Sequence, residues 1–340
     1  MRFAPTADQL ALASTVRALL ADACPPAVVR AAWTQGPPSG LWQRLAELDL
    51  FGAMLPPSAG GLGLTEVDLV GVFVEIGRAA VPLPVAETVA VLVPLLAELE
   101  HPAVESLAAG GEIGTADLSG AAVLPWGRCS DVALVRDGHA ARLVDLSGLA
   151  LEPVPTVDGS RAAVLVPAGG TPVTDDPGVL ERAWLRGVLA MSAELVGLAQ
   201  RQLDLTVAYV RERRQFGVPV GSQQAVKHPL ANALVELRFT VPVVQRAAVG
   251  LASGSPDARA LVAAAKAMAS RMAEQVARAA IQAHGAIGYT VEYDLHLYVK
   301  RSWALAASWG SAAHHRAVVA DSLGLPPAVD PSLPPWEASS

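Results

Sequence analysis

The chain has 340 residues and a net charge of −7, and only 17% of its residues are charged. No basic segment points to nucleic acid, and its two cysteines, Cys24 and Cys129, are too far apart to suggest a disulfide framework or a zinc site. We therefore expect neither a metal nor a nucleic-acid partner. The length predicts two or three domains. The charged fraction lies below the ~25% of typical soluble domains, which indicates either a surface covered by other subunits or a bias toward alanine.

The N-terminus carries Asp8 and lacks the basic and then apolar pattern of a signal peptide. The most apolar run, at residues 79–99, is interrupted by three prolines and Glu87. A membrane helix needs ~20 mostly apolar residues in succession, so this run does not predict one. We expect a cytoplasmic protein without a membrane span.

Residues 1–112 have the pattern of an N-terminal α-helical domain. Thr6 precedes apolar residues at helical spacing and predicts a capped helix at 7–23, and a second helical stretch lies near 41–48. Thr65, with Asp68 three residues later, predicts a capping box for a helix at 66–79.

Residues 113–176 change to short apolar runs separated by Gly, Pro, Asp and Ser. This alternation predicts a middle β domain, shortened to little more than its strands. The runs are 121–126, 132–135, 141–144 and 162–166.

Long helical patterns return at residues 177–324, at 180–215, 223–251, 257–283 and 292–323. Four long helices with short connections predict a C-terminal four-helix bundle, with kinks or breaks at Pro229 and Pro242. A Pro-rich, irregular tail is expected at 325–340. The predicted fold class is α+β and mainly α: helical domain, small β domain, helical bundle.

Two motifs in the bundle resemble those of a known family. Tyr209, Arg213, Phe216-Gly217, Pro219 and Gln224 are similar to the pattern Y-x-x-x-R-x-x-F-G-x-P-x-x-x-x-Q. The segment from Gln282 to Tyr293 is similar to Q-x-x-G-G-x-G-[FY]-x-x-E-Y, and 60–64 with 75–78 is family-like near the N-terminus. In this order, and with this order of domains, the chain resembles a short bacterial acyl-CoA dehydrogenase. It resembles in particular a subunit of heteromeric α2β2 members.

The resemblance implies FAD held across a subunit interface. An arginine at position 213 would bind the pyrophosphate, because its planar fork pairs with phosphate oxygens, and the glycines would let backbone approach it. Without the resemblance, Arg213 is simply a cation at a helix C-terminus and Gly285 simply a helix stop. The implied cofactor residues are Arg213, Phe216, Gln224, Gln282, Gly285, Ala286, Gly288 and Ser311.

The family's catalytic carboxylate is missing from both positions where members carry it. That base removes the α-proton of an acyl thioester while hydride leaves for the flavin. One position, before a Gly-Thr pair in the family, falls on Trp309, followed by Gly310 and Ser311. The other falls on Gly187. Glu194 is a weak substitute, because it shares the helix face of Gly187 but lies ~10 Å along the axis.

Three hypotheses follow. The chain is an acyl-CoA dehydrogenase subunit that lacks its own base and works with a paralogous partner. Alternatively, it is a self-sufficient homo-oligomeric flavoenzyme with a relocated base or a different reaction. A third hypothesis is a structural member without flavin. The resemblance implies an acyl-CoA or acyl thioester substrate, an electron-transferring flavoprotein as acceptor, and a dimer or α2β2 tetramer.

Overall fold

The computed structural model describes residues 4–325, so the predicted tail lies outside the described residues apart from Leu325. From residue 4 onward, the N-terminal part is helical. Its helices are α1 (Ala7–Ala23), α2 (Pro26–Gln35), α3 (Leu41–Ala46), α4 (Glu66–Ala79), a π-helical turn (Glu87–Leu92) that runs into α5 (Val93–Glu98), and α6 (Val104–Ala108). The predicted cap at Thr6 is confirmed and is a full capping box, since Thr6 Oγ1 accepts from Gln9 N and Thr6 N donates to the Gln9 side chain. The predicted capping box at Thr65 is also confirmed, and Thr65 N donates there to the Asp68 side chain. Helix α2 was not predicted from the sequence.

The middle part contains a four-stranded sheet in the order β1-β3-β4-β6 and a ribbon of β2 with β5. Strand β1 pairs with β3 in parallel, and the other pairs are antiparallel. The strands are β1 (Gly114–Asp117), β2 (Val123–Leu124), β3 (Val132–Asp137), β4 (Ala140–Asp145), β5 (Val164–Leu165) and β6 (Thr171–Thr174).

Helix α7 (Pro177–Glu212) is the centre of the molecule. Every residue from 187 to 199 is buried, because α4 packs on one side and α9 on the other. Helices α4 and α7 meet backbone to backbone through glycines: a methyl group on Gly197 would lie 2.6 Å from Arg78 N. Such an approach is open only to glycine.

The remaining elements complete the bundle. They are a small hairpin of β7 (Arg214–Gln215) and β8 (Val218–Pro219), then α8 (Gln224–Ala252), α9 (Ala258–His284), α10 (Leu295–Ala307) and α11 (Ala312–Ser322). The predicted fold class is confirmed. Helix α8 runs through Pro229 and Pro242 without a break. Both prolines are on its exposed face, where water can bond the carbonyls they leave free.

The predicted single helix at 292–323 is wrong. Helices α10 and α11 are separated at residues 308–311, where Trp309 has φ +55° and Gly310 has φ +87°. Left-handed backbone at two successive residues ends α10, and the Ser311 side chain caps α11. In the part of the chain that the structure describes, no single helix is long and apolar enough to span a membrane; α1 and α2 reach that length and composition only together, across a 64° bend.

Candidate functional site

Gly187 and Trp309, the two positions at which the resemblance implies a base, are in contact, and neither side chain can act as a base. Trp309 is only 2% exposed, and its ring packs against Trp184 with centroids 5.2 Å apart. A methyl group on Gly187 would lie 2.5 Å from Cη2 of Trp309. The indole therefore fills the space that the missing Gly187 side chain leaves open. Trp184 and Trp309 are called the tryptophan pair below.

A buried lysine fixes the loop that carries Trp309. The Lys266 ammonium on α9 donates to the carbonyl oxygens of Leu305 at 3.0 Å, Ala306 at 3.1 Å and Gly310 at 3.3 Å. It thereby caps the C-terminus of α10, where the helix dipole favours a cation. Burial lowers the pKa of Lys266 to about 7. Lys266 was not predicted as a functional residue, because its only signal in the sequence is a single lysine within an alanine-rich helix.

His315 holds the same loop from the α11 side. Its Nε2 donates to the Trp309 carbonyl at 2.8 Å. Burial lowers the pKa of His315 to about 4, so the ring is neutral near pH 7 and can keep this bond as a donor. Trp309 is thus held through its backbone by His315 and through its ring by Trp184.

A cavity of about 660 Å³ borders the tryptophan pair, within the ~300–1,000 Å³ range of small-molecule sites. Its walls come from the middle sheet and from the starts of α7, α9 and α11. Apolar residues, including Trp184, form part of the lining. The charged and polar lining residues are Ser119, Arg136, His139, Asp175, Glu181, Arg259, His314 and His315.

Most of the predicted cofactor residues meet at one end of the bundle, which we call the flavin surface. His284, the last residue of α9, stacks on Tyr209 of α7 with centroids 4.4 Å apart, and this contact joins the two helix ends. Arg213 ends α7, and Phe216 is 94% exposed at the hairpin turn. The flavin surface comprises Arg213, Phe216, Gln224, Gln282, Gly285, Ala286 and Gly288.

The side chains of this surface point outward. Arg213, Gln224 and Gln282 are exposed, and Gln282 borders a groove of about 650 Å³ between α8 and α9. Gly285 has φ +65° and nothing within 4 Å of its missing side chain, so a ligand can approach its backbone. An exposed guanidinium, two amides and an open glycine turn suit a diphosphate with a polar ring system. The arrangement fits FAD held from outside this chain.

Ser311 lies far from the flavin surface. Ser311 follows Gly310, whose carbonyl accepts from Lys266 in the first half of α9. Gly285 follows the last residue of that helix. Nineteen residues of α-helix separate positions 266 and 285, which corresponds to ~29 Å. The predicted cofactor residues therefore lie in two groups, one beside Trp309 and one at the C-terminal end of α9.

Glu194, the weak candidate for a base, lies in a different environment from Gly187. It is buried beside Glu87, Arg161 and Arg301, where the middle part of the chain meets the helices. Burial, reinforced by the Glu87 charge, raises the pKa of Glu194 to about 8. Trp126 is likewise buried here, and its Nε1 donates to Glu87 at 2.8 Å. Both residues belong to an internal polar network.

Comparisons with known proteins establish the family. The models for the N-terminal and C-terminal domains of acyl-CoA dehydrogenases match residues 6–99 and 182–324. Acyl-CoA dehydrogenase IpdE2 of Mycolicibacterium smegmatis is 35% identical over 303 residues, covering 88% of this chain and 93% of that protein. The protein of the same name from Mycobacterium tuberculosis is 34% identical over 308 residues, covering 88% and 92%. The chain belongs to the acyl-CoA dehydrogenase family of oxidoreductases.

Solved structures agree on the fold. The ChsE4-ChsE5 complex from Mycobacterium tuberculosis contains a chain that superposes with a TM-score of 0.84 at 23% identity, covering 96% of this chain and 100% of that one. An FAD complex of PigA superposes with a TM-score of 0.81 at 18% identity, covering 96% and 100%. At this identity the likeness shows the fold alone.

Proposed function

We propose that this chain is the subunit of a heteromeric acyl-CoA dehydrogenase that completes a flavin site and supplies no base. The observation that carries the proposal is the contact between Trp309 and Gly187, which occupies both base positions with an indole and a glycine. A base acting from either position would need a carboxylate there. Here Trp309 fills the place of a side chain on Gly187, and Lys266 and His315 hold the loop that carries Trp309.

The flavin surface supports the same assignment. Its residues are exposed at the C-terminal end of α9, and Ser311 follows the loop that Lys266 contacts ~29 Å back along that helix. We therefore expect a second chain to complete the contacts of a flavin bound at Arg213. The fold likeness to a chain of the ChsE4-ChsE5 complex is consistent with assembly from two different chains. The partner would carry the carboxylate and the acyl thioester pocket.

In such an assembly, Arg213 would bind the cofactor diphosphate, and Gln224 and Gln282 would fix its polar rings. Phe216 would pack against it and exclude water. FAD, when bound, accepts the hydride in α,β-dehydrogenation of an acyl thioester. By family analogy, an electron-transferring flavoprotein would then receive the electrons.

A second candidate, a self-sufficient flavoenzyme with a relocated base, is favoured by one observation. Two carboxylates, Asp175 and Glu181, line the 660 Å³ cavity beside the tryptophan pair. The Glu181 carboxylate lies 3.5 Å from the Arg259 guanidinium, which also lines this cavity.

One experiment separates these candidates. The chain is purified alone and again after co-expression with a paralogous acyl-CoA dehydrogenase chain, and the visible spectrum is followed during anaerobic addition of acyl-CoAs. We expect flavin that acyl-CoA bleaches only in the co-expressed complex. Bleaching with the chain alone would overturn the partner assignment in favour of the second candidate. Absence of flavin in both preparations would support the structural hypothesis and contradict both enzyme proposals.

A further inference from the structure

Five charged side chains from three parts of the chain meet in the interior. Glu87 comes from the π-helical turn, Asp158 and Arg161 from the middle part, Glu194 from α7 and Arg301 from α10. None is more than 5% exposed. These five residues are called the interdomain cluster. They lie outside the flavin surface and the tryptophan pair, so their behaviour is independent of the proposed function.

Arg301 joins all three parts. Its guanidinium donates to the Asp158 carboxylate and, at 2.8 Å, to Ser160 Oγ in the middle part. It also donates at 3.0 Å to the Val81 carbonyl, just after α4. Asp158 in turn accepts from Ser160 Oγ at 2.6 Å. The turn 158–161 is thus fastened to α10 and to the N-terminal helices by one side chain.

The second arginine is less completely paired. Arg161 Nη2 is 3.6 Å from Glu87 Oε1, and its Nε and Nη2 have no hydrogen-bond partner among the described residues. Glu87 accepts instead from Trp126 Nε1. Both guanidinium groups lie over the Trp126 ring, at 5.5 Å for Arg161 and 4.9 Å for Arg301. The two arginines are therefore matched by the charges of Glu87 and Asp158.

Glu194 is the third acid in a cluster with only two cations. With Glu87 and Asp158 ionised, a neutral Glu194 leaves the five residues without net charge. Ionisation of Glu194 would add a buried negative charge with no counterion, which is among the costliest changes inside a protein. Consistent with this, burial and the Glu87 charge raise the pKa of Glu194 to about 8, while burial also raises the pKa of Glu87. The Trp126 bond and Arg161 favour ionisation of Glu87 first.

Among residues 4–325, the other elements around the cluster do not supply the missing cation. Helix α4 meets Glu194 with Gly77, and its charged residues Glu75 and Arg78 pair with Arg17 and Asp204. The middle part adds Asp117 and Cys129, and burial raises the pKa of both. Neither side chain is a cation.

We propose that the protonation state of the Glu194 carboxyl controls the contact between the middle part of the chain and the helices. This contact is closed while the carboxyl carries its proton and loosens when the carboxyl ionises. Loosening releases the turn 158–161 and with it the sheet that forms one wall of the 660 Å³ cavity. The proton thus controls how firmly that wall is held.

The direction of the pH dependence follows from linkage. A carboxyl whose pKa is raised in the closed state binds its proton more tightly there than in an open, hydrated state with an ordinary pKa near 4.5. Stability of the closed state is therefore full below that value and falls as the pH rises toward 8, by at most a factor of ~10 per pH unit. Above both pKa values the dependence levels off.

Hydrogen–deuterium exchange in the full chain tests whether this contact depends on pH. Peptides covering 153–166 are followed between pH 5.5 and 7.5, with exchange corrected for its intrinsic pH dependence. We expect protection to fall by up to ~100-fold over these two units in the wild type and to stay constant in Glu194→Gln. Glu47→Gln, at an exposed acid on the surface, is the matched control and should behave as the wild type.

A second variant guards against misfolding of the first. Glu87→Gln keeps an oxygen that can accept from Trp126 but removes the charge that raises the pKa of Glu194, so the fall in protection should level off at a lower pH. A wild type without pH-dependent protection would overturn the proposal. So would a Glu194→Gln variant with the wild-type slope, or a Glu87→Gln variant whose plateau does not move.

Discussion

The indole of Trp309 lies where a side chain on Gly187 would project, with Cη2 2.5 Å from the place of the missing methyl group. The glycine and the tryptophan therefore depend on each other: the large ring fits only because α7 has no side chain at this turn. Such a pair closes a space that, by the resemblance, other family members use for a carboxylate. Because the two residues depend on each other, their contact can be tested by substitution without any substrate.

Gly187→Ala should destabilise the chain by about 1–3 kcal/mol, the usual cost of overpacking a core. In an ordinary buried helix position the same change would favour the helix by up to ~1 kcal/mol. In a Trp309→Ala background the penalty should therefore disappear or change sign. Denaturant unfolding of the four chains measures the interaction. Equal effects of Gly187→Ala in both backgrounds would show that Trp309 is not the neighbour that matters.

Lys266→Met should weaken the chain and flatten part of its pH profile. The three backbone carbonyls that Lys266 bonds would lose their donor, and leaving the buried Leu305 carbonyl unsatisfied costs about 1–3 kcal/mol. Because burial lowers the pKa of Lys266 to about 7, the unfolded chain binds more protons between pH 7 and ~10.5, and wild-type stability gains from rising pH there.

The measurement is the difference in unfolding free energy between wild type and Lys266→Met from pH 7.5 to 9.5. This difference should grow with pH by at most ~1.4 kcal/mol per unit. Parallel curves for the two chains would mean that the lysine stays charged in the fold, stabilised by the carbonyls around it.

Arg213→Gln should weaken flavin binding by the assembled complex. Loss of a charged hydrogen bond to phosphate costs about 1.5–3 kcal/mol, or ~10–150-fold in the dissociation constant. Arg211→Gln is the matched control, since it removes an exposed arginine from the same last turn of α7. Fluorescence titration of FAD into the apo-complex gives both constants. Equal weakening of FAD binding in the two variants would mean that Arg213 acts only through its positive charge and not through a specific bond to the diphosphate.

Local patterns predicted much of this fold because capping and helical periodicity are local. Thr6 and Thr65 begin helices as expected. The break at Trp309 was missed because the apolar spacing continues through it, although Gly310 and Ser311 are a local stop and cap. The contacts that hold the broken loop are distant in sequence. Lys266 and Gly187 reach the loop only after α7 and α9 have packed. The interdomain cluster was missed for the same reason, since Arg301 and Asp158 are 143 positions apart.

Phe216→Ser should weaken the association of the two subunits without destabilising the isolated chain. The ring is 94% exposed in the hairpin turn, so its removal exposes nothing and should leave the unfolding free energy of the isolated chain unchanged within ~0.5 kcal/mol.

If the flavin surface is covered in the complex, as we propose, the same change should raise the dissociation constant of the two subunits by about 10-fold or more, because buried aromatic anchors dominate such interfaces. Analytical ultracentrifugation of the complex, with FAD present, measures this. Leu10→Ser, on the exposed face of α1, is the control. An unchanged complex would place the subunit interface, and with it the flavin, elsewhere on the chain.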